Sequence, residues 1–313
     1  MDKLEAIVRT DIEPNVIDMK MIEEAIKDQS PKGQAGILIE QDGYDLKEIH
    51  YIRLEFLNIL KIDHLWILPG LTKLQLGNNI IKKIENLDSL INLKELDLSF
   101  NNITVIENLE SLVNIEKLTL FNNSITALQN LENLKKLKIF SIGNNLIQPA
   151  KSSIMYLRKF PNLKSLNMAG NPCTANAEFR MLVCAYIPQL VYYEYKLITT
   201  EESNIAIQYY LKDLEILERE ENKLKKQIKD EEEAAAREAL HKEAFVEQLD
   251  KDQLYEALFE KDEDGQALLL MNEEVQEIYN SFREQMGLVT SEIFELGQQQ
   301  MKLRQEEISQ YQS

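Results

Sequence analysis

The stretch "LDLSFNNITVIENL" (Leu96–Leu109) nearly repeats "LQLGNNIIKKIENL" (Leu74–Leu87) just upstream. Each copy places an asparagine inside an apolar run. Aligned on that asparagine, the phrase recurs further. "LTKLQLGNN" ends at Asn79, "LKELDLSFN" at Asn101, "IEKLTLFNN" at Asn123 and "LKIFSIGNN" at Asn145, with the same interval at every step. "LKSLNMAGN" ends at Asn171, after a slightly longer interval.

A period of about 22 residues with the pattern L-x-x-L-x-L-x-x-N is the leucine-rich repeat. The L-x-L pairs (Leu74/Leu76, Leu96/Leu98, Leu118/Leu120, Phe140/Ile142) alternate as a short half-buried strand requires. After each strand the backbone turns away while still inside the coil, and its amides lose their ladder partners. An asparagine side chain offers both a donor and an acceptor there. Asn79, Asn101, Asn123, Asn145 and Asn171 are therefore expected to form a structural ladder. Ile81, Ile84, Leu87 and Leu90, and their equivalents down to Leu128 and Leu134, are expected to build the convex side from short helical or 3₁₀ turns. The longer repeat has room for a helix through "SSIMYLRKF". The first register, "IHYIRLEFL", puts Leu57 in place of the asparagine and Asn58 one place late. Terminal repeats are commonly atypical.

The expected fold is an α/β leucine-rich-repeat solenoid of about six short repeats with parallel concave strands, followed by a long α-helical or coiled-coil tail. Residues 1–48 read as an N-terminal helical cap, with Pro14 near the helix start and Ile17, Met21 and Ala25 along one face. Residues 49–198 read as the repeats plus a C-terminal cap that holds Cys173 and Cys184 as buried free thiols. Residues 199–313 read as an acidic helical segment. In it Leu214, Leu217, Leu224 and Ile228 fit heptad a/d positions, Glu221, Glu231 and Glu238 interrupt them, and a break falls near 260–266. A second amphipathic helix is expected from Asn272 to about Gln310, with Val275, Ile278, Tyr279, Phe282, Met286 and Val289 on one side. Straight extension and a hairpin at the break are both compatible with this pattern.

Charge narrows the function. The net charge of −18 divides into −6 over residues 1–50, +4 over 51–200 and −16 over 201–313. No basic stripe is evident, so nucleic acid is not an expected partner. Uncharged runs such as "MLVCAYIPQLVYY" are too short to span a membrane. No signal peptide is expected, because no apolar run follows a basic start. His50, His64 and His241 lack metal-ligand spacing, and no nucleophile elbow, Walker loop or dinucleotide fingerprint occurs. "EKDEDGQ" departs from a calcium loop, since Met271 would stand at the closing acidic position. No cofactor is expected, and a catalytic site would have to be assembled from scattered groups. The residues instead offer a surface on the outward strand positions: Arg53, Lys73, Gln75, Asp97, Ser99, Thr119, Phe121 and Ser141. Phe121 is the expected aromatic anchor. Trp66 is expected to pack under the first repeats.

The repeat class resembles that of the leucine-rich regulatory subunit of protein phosphatase 1 and of axonemal dynein light chain 1. A closer likeness covers nearly the whole chain. "EPNVID" (Glu13–Asp18), "NILKIDHLW" (Asn58–Trp66), "LDLSFNNI" (Leu96–Ile103), "VCAYIPQLVYYEY" (Val183–Tyr195) and "HKEAFVEQL" (His241–Leu249) resemble the dynein regulatory complex subunit 3 family. The first and last of these lie outside the repeats. The resemblance implies a non-catalytic scaffold of the nexin–dynein regulatory complex, in the axoneme of cilia and flagella. It implies other subunits of that complex as partners, with inner dynein arms and doublet microtubules as further contacts. Members of that family extend beyond the length of this sequence. A regulatory subunit of a protein phosphatase is the alternative. It would use the same concave face but leaves the acidic tail unexplained.

Overall fold

The computed structural model describes residues 13–29, 45–176, 178–247, 249, 254–255, 258, 262–264, 267, 270 and 273–312. Of the expected break near 260–266 only residues 262–264 are described, and parts of the N-terminal cap lie outside the described residues. The chain divides into two units, Met1–Leu214 and Glu215–Ser313.

In the first unit, the repeat period sets the register. Strands β2 (Tyr51–Arg53), β4 (Lys73–Gln75), β5 (Glu95–Asp97), β6 (Lys117–Thr119), β7 (Ile139–Ser141) and β8 (Ser165–Asn167) pair in parallel, in that order. Leu74 stands opposite Leu96, Leu96 opposite Leu118 and Leu118 opposite Phe140. The longer repeat keeps the same register, with Phe140 opposite Leu166. Its extra residues leave the sheet as helix α2 (Ala150–Arg158).

Inward side chains fill the coil. Leu74, Leu76, Ile81, Ile84, Leu87, Leu90 and Leu93 are all buried, and the next coil repeats the set from Leu96 to Ile115. Leu128, expected in that layer, is only half-buried. The side away from the sheet holds no helix in the shorter coils. It runs in successive turns whose N–H groups reach back three residues, as in Leu90 N to Leu87 O and Leu93 N to Leu90 O, both 3.0 Å. Two turns are all that the spacing of the apolar residues accommodates. Short 3₁₀ segments occur in the first coil, at Leu65–Ile67, and after the last ladder asparagine, at Pro172–Thr174.

The N-terminal cap differs from expectation. Strand β1 (Asn15–Val16) precedes the helix and pairs with β3 (Ile59–Lys61). Helix α1 runs Met19–Gln29 and starts with the Asp18 carboxylate accepting Met21 N–H at 2.8 Å. Pro14 lies before the strand. The buried helical face is Ile22, Ala25 and Ile26, while Ile17 is buried outside the helix and Met21 is half-buried. Gln29 closes the free edge of β2, accepting Arg53 N–H at 3.0 Å, so the sheet edge is covered. The displaced Asn58 has its use here. It donates to Glu13 O at 2.9 Å, and its own carbonyl accepts Asn15 N–H at 2.9 Å.

At the other end, α3 (Phe179–Tyr186), β9 (Tyr192–Tyr193) and β10 (Lys196–Leu197) close the sheet, β9 parallel to β8 and β10 antiparallel to β9. Cys173 and Cys184 are buried free thiols, and burial pushes the Cys173 thiol up to about 11. Helix α4 (Thr200–Tyr209) lies in the first unit although it follows residue 198. A capping box formed by Thr199 and Glu202 starts it, and Arg180 holds the same Glu202 at 2.6 Å.

The second unit is helical. Helix α5 (Leu211–Glu243, 33 residues) enters it, and α6 (Glu273–Gln312, 40 residues) follows. α5 ends well before 260. Val246 N–H reaches His241 O at 3.0 Å and Phe245 N–H reaches Lys242 O at 3.1 Å, with Phe245 at φ 57°. This is a Schellman stop with phenylalanine where glycine is usual. The chain then folds back within the unit. His241 stands edge-on to Phe294 at 4.9 Å, Gln305 donates to Glu243 at 2.9 Å, and Ala244, Val246 and Met301 form a small core with Leu249 and Phe294. Gly297 permits this approach, since a Cβ there would lie 2.2 Å from Val246 Cγ1. The inward side of α6 is Val275, Tyr279, Met286, Thr290, Phe294 and Met301; Ile278 and Val289, expected inward, are 70% and 55% exposed.

Candidate docking face

The five ladder asparagines repeat one geometry. Asn101 Oδ1 accepts Ile81 N–H at 3.0 Å, and its Nδ2 donates to Leu76 O, Leu98 O and Ser99 O at 3.0–3.1 Å. Asn79, Asn123, Asn145 and Asn171 likewise accept from Ile59, Ile103, Ile125 and Ile147 N–H at 3.0–3.1 Å. Each links its own coil to the preceding one.

Two further asparagine rows were not anticipated. Asn86, Asn108 and Asn130 donate to Ile62 O, Ile84 O and Ile106 O at 2.7–2.8 Å, all with φ 58°. Asn92, Asn114 and Asn162 donate to carbonyls on the turn side, Pro69 O, Ile91 O and Lys135 O. The signal was present: "ENL" or "QNL" recurs at the same phase in three coils. It was hidden because the asparagine there does not interrupt an apolar run.

The outward strand residues bond mainly to one another. Tyr51 donates to Gln75. Lys73 pairs with Glu95 at 3.3 Å and its ammonium lies 5.4 Å from the Tyr51 ring centre. Asp97 accepts Ser99 N–H at 2.9 Å, and Asn167 links the Ser141 hydroxyl to that of Tyr195. Arg53 is exposed, while Lys73, Gln75, Asp97 and Thr119 are half-buried. Ser99 and Ser141, expected on the surface, are each 9% exposed, because short side chains sit below longer neighbours. A shallow cleft between Lys73, Gln75, Asp97 and Lys117 is too small for an organic cofactor.

Phe121 is half-buried, and the exposed aromatic beside it is Phe100, 45% exposed and edge-on at 5.6 Å. Phe100 occupies a column of left-handed residues: Phe56, Asn78, Phe100, Asn122, Asn144 and Gly170, with φ between 51° and 77°. Asparagine and glycine tolerate that conformation, whereas a bulky side chain is strained in it. Both Phe56, 76% exposed, and Phe100 hold their rings out to solvent from strained positions. Comparing the residue just before each ladder asparagine would have singled them out. Trp66 is not packed under the repeats. It is 51% exposed and stacks on His64 at 4.9 Å.

Of the expected heptad positions, Leu214 is 6% exposed, whereas Leu224 and Ile228 are 57% and 46% exposed and Leu217 is half-buried. Among the described residues no group of three or more His, Cys, Asp or Glu is placed to hold a metal ion, and no helix is long and apolar enough to cross a membrane.

Residues 91–133 match the family model of leucine-rich repeats in two copies. Proteins named dynein regulatory complex subunit 3 are similar along almost the whole chain. The Homo sapiens protein is 46% identical over 299 residues, covering 95% of this chain and 56% of its own length. The Mus musculus protein gives the same identity and coverage. The chain thus spans a little over half the length of these relatives. Among solved structures, a chain of the Drosophila melanogaster SNF/U2A' complex aligns with 66% of this chain and 99% of its own, at 17% identity and a TM-score of 0.40.

Proposed function

This chain is a leucine-rich-repeat protein related along 95% of its length to dynein regulatory complex subunit 3, and we propose that it is a structural subunit of the axonemal nexin–dynein regulatory complex. In this reading it catalyses nothing. It docks partners through its repeats and its helical segment, helps link doublet microtubules, and thereby regulates dynein-driven motility of cilia and flagella. One observation carries the reading: the identity runs over 299 residues, far beyond the repeats that the family model matches at 91–133. Repeat consensus alone cannot produce a likeness of that extent.

The division of labour follows the chemistry of each segment. Residues 49–198 are the docking module, with Arg53, Lys73, Gln75, Asp97, Thr119 and the Phe100–Phe121 pair as its contact face. Aromatic anchors ringed by polar groups are common hot spots. Residues 199–313 supply the helical contacts. Leu217, Leu224 and Ile228 meet apolar positions of other subunits, and the acidic surface limits pairing between copies. Other subunits of the complex are the direct partners, and inner dynein arms and doublet microtubules lie within the same assembly.

Extraction of demembranated cilia with rising salt tests the proposal. Release only at high salt, together with subunits of the regulatory complex by mass spectrometry, is expected. Recovery in the detergent-soluble fraction with a phosphatase catalytic subunit would replace it by the phosphatase reading. Phe100→Glu is expected to lower the salt needed for release without unfolding the protein.

A further inference from the structure

Seven of the eight charged side chains between residues 131 and 164 are basic, in a chain whose net charge is −18. The linear sequence hides this, because the lysines that end up adjacent are separated by a whole repeat. Folding stacks them on the edge where the chain enters the sheet. Glu116, Lys138 and Lys164 N–H groups donate at 2.8 Å to Lys94 O, Glu116 O and Lys138 O respectively. These four residues therefore rise in one column, about 4.8 Å per coil. Beside it, Lys136 Nζ donates to Asn114 at 2.7 Å, and Lys117 follows Glu116 on the strand. Lys94, Lys117, Lys136, Lys138 and Lys164 are all exposed.

Two carboxylates stand among them: Glu116, and Glu95, which lies opposite Lys117 in the sheet and pairs with Lys73. Lys138 holds Glu116 at 2.6 Å, and Lys94 and Lys136 act on the same group, so its acidity is strengthened. Two carboxylates against Lys94, Lys117, Lys136, Lys138 and Lys164, with Lys73 already on Glu95, leave the edge with surplus positive charge. The absence of a basic stripe in the linear sequence is thus corrected by the fold.

We infer that this lysine edge docks a short, acidic, extended segment of a partner protein. From Lys94 to Lys164 the column rises three coils, roughly 14 Å, which about four residues of extended chain span. A segment that short lies within one Debye length, about 10 Å, of most of the lysines. A long nucleic acid draws its affinity from many phosphate contacts along an extended basic track, and a column of roughly 14 Å offers too few, which disfavours it. The inference does not depend on the axonemal assignment.

Fluorescence anisotropy of the full chain with a labelled oligoglutamate peptide tests it. Saturable binding is expected, weakening as salt rises. K136E/K138E/K164E should weaken it at least about tenfold, since exposed pairs are lost and repulsions replace them. K223E/K225E/K226E makes the same charge change on α5 and should leave binding within about twofold. Melting temperatures identify any variant that unfolds, and the glutamine triple at 136, 138 and 164 then takes its place. Equal losses in the two triples, no saturable binding, or tighter binding of an oligonucleotide of equal charge would each overturn the inference.

Discussion

The repeat unit and the helical unit close their backbone accounts by different means. A helix satisfies its N–H and C=O groups within itself, so α5 needs no neighbour to be a helix. A strand of three residues satisfies almost nothing alone. Every coil of the repeat unit therefore leans on the next through parallel pairing and through three rows of asparagines. The consequence shows in burial: each coil encloses about a whole layer of leucine and isoleucine, whereas Leu224 and Ile228 on α5 remain about half exposed. Repeats spread dependence across neighbours, while the helices keep apolar rows in reserve.

If that contrast is right, the ladder is the most sensitive place to cut. Asn101→Ala strands Ile81 N–H inside the coil and takes one donor each from Leu76 O, Leu98 O and Ser99 O, which keep their bonds from Asn79, Asn123 and Asn78. It should cost about 3 kcal/mol in urea unfolding, because a buried orphan costs roughly 1–3 kcal/mol and each further lost bond roughly 0.5–1.5 kcal/mol. Asn108→Ala, in the second row, loses one bond to Ile84 O and forces alanine to φ 58°, for about 2 kcal/mol; Asn108→Gly keeps the conformation and should cost about 1. A loss as small for Asn101→Ala as for an exposed α5 substitution would break the comparison.

Most of the repeat unit was legible because its dependence is periodic. Leu74, Leu96 and Leu118 recur at the spacing that pairs them, so fold and register could be read together. The site was less legible. Phe121 drew notice because it stands at an outward strand position, yet Phe100, one column on, is the exposed ring. Nothing in local pattern marks a phenylalanine as left-handed. Only the column of asparagine and glycine equivalents does so. In the helical unit, the end of α5 at Glu243 carries no glycine or proline, so nothing in the local sequence marks it. Tertiary packing of Val246 against Gly297 decides that stop, and packing of this kind leaves no periodic trace.

Two intermediate effects sharpen the comparison at its boundaries. Arg180 holds Glu202 in paired hydrogen bonds, 2.6 and 3.1 Å, and lowers its pKa. A carboxyl depressed in the folded state stabilises above its unfolded pKa of about 4.3 and loses that contribution as pH falls through the folded value. Arg180→Met should therefore cost about 1 kcal/mol at pH 7, the upper end for a partly exposed pair, and progressively less as pH falls through the folded pKa of Glu202. Phe245→Gly acts in the opposite direction. Its ring is 78% exposed and its φ is 57°, so glycine relieves strain and should stabilise the helical unit by roughly 0.5–1 kcal/mol. Thermal melts of both variants read these changes.

The smallest effect says most about why the two units differ. Leu224→Gln with Ile228→Gln removes an apolar row whose side chains already meet water, so the isolated protein should change by no more than about 0.5 kcal/mol. A core leucine of the repeats offers the opposite case: Leu98→Ala empties a fully buried site and belongs with losses of about 2–5 kcal/mol. The near-neutral pair is informative only against assembly. If α5 holds its leucines for a partner helix, the same double variant should leave demembranated cilia at clearly lower salt than the parent, while melting at the same temperature in isolation. Equal retention would mean that the row is merely tolerated on a solvated helix. The helical unit would then owe its place to its charge, and the repeat face would carry the docking alone.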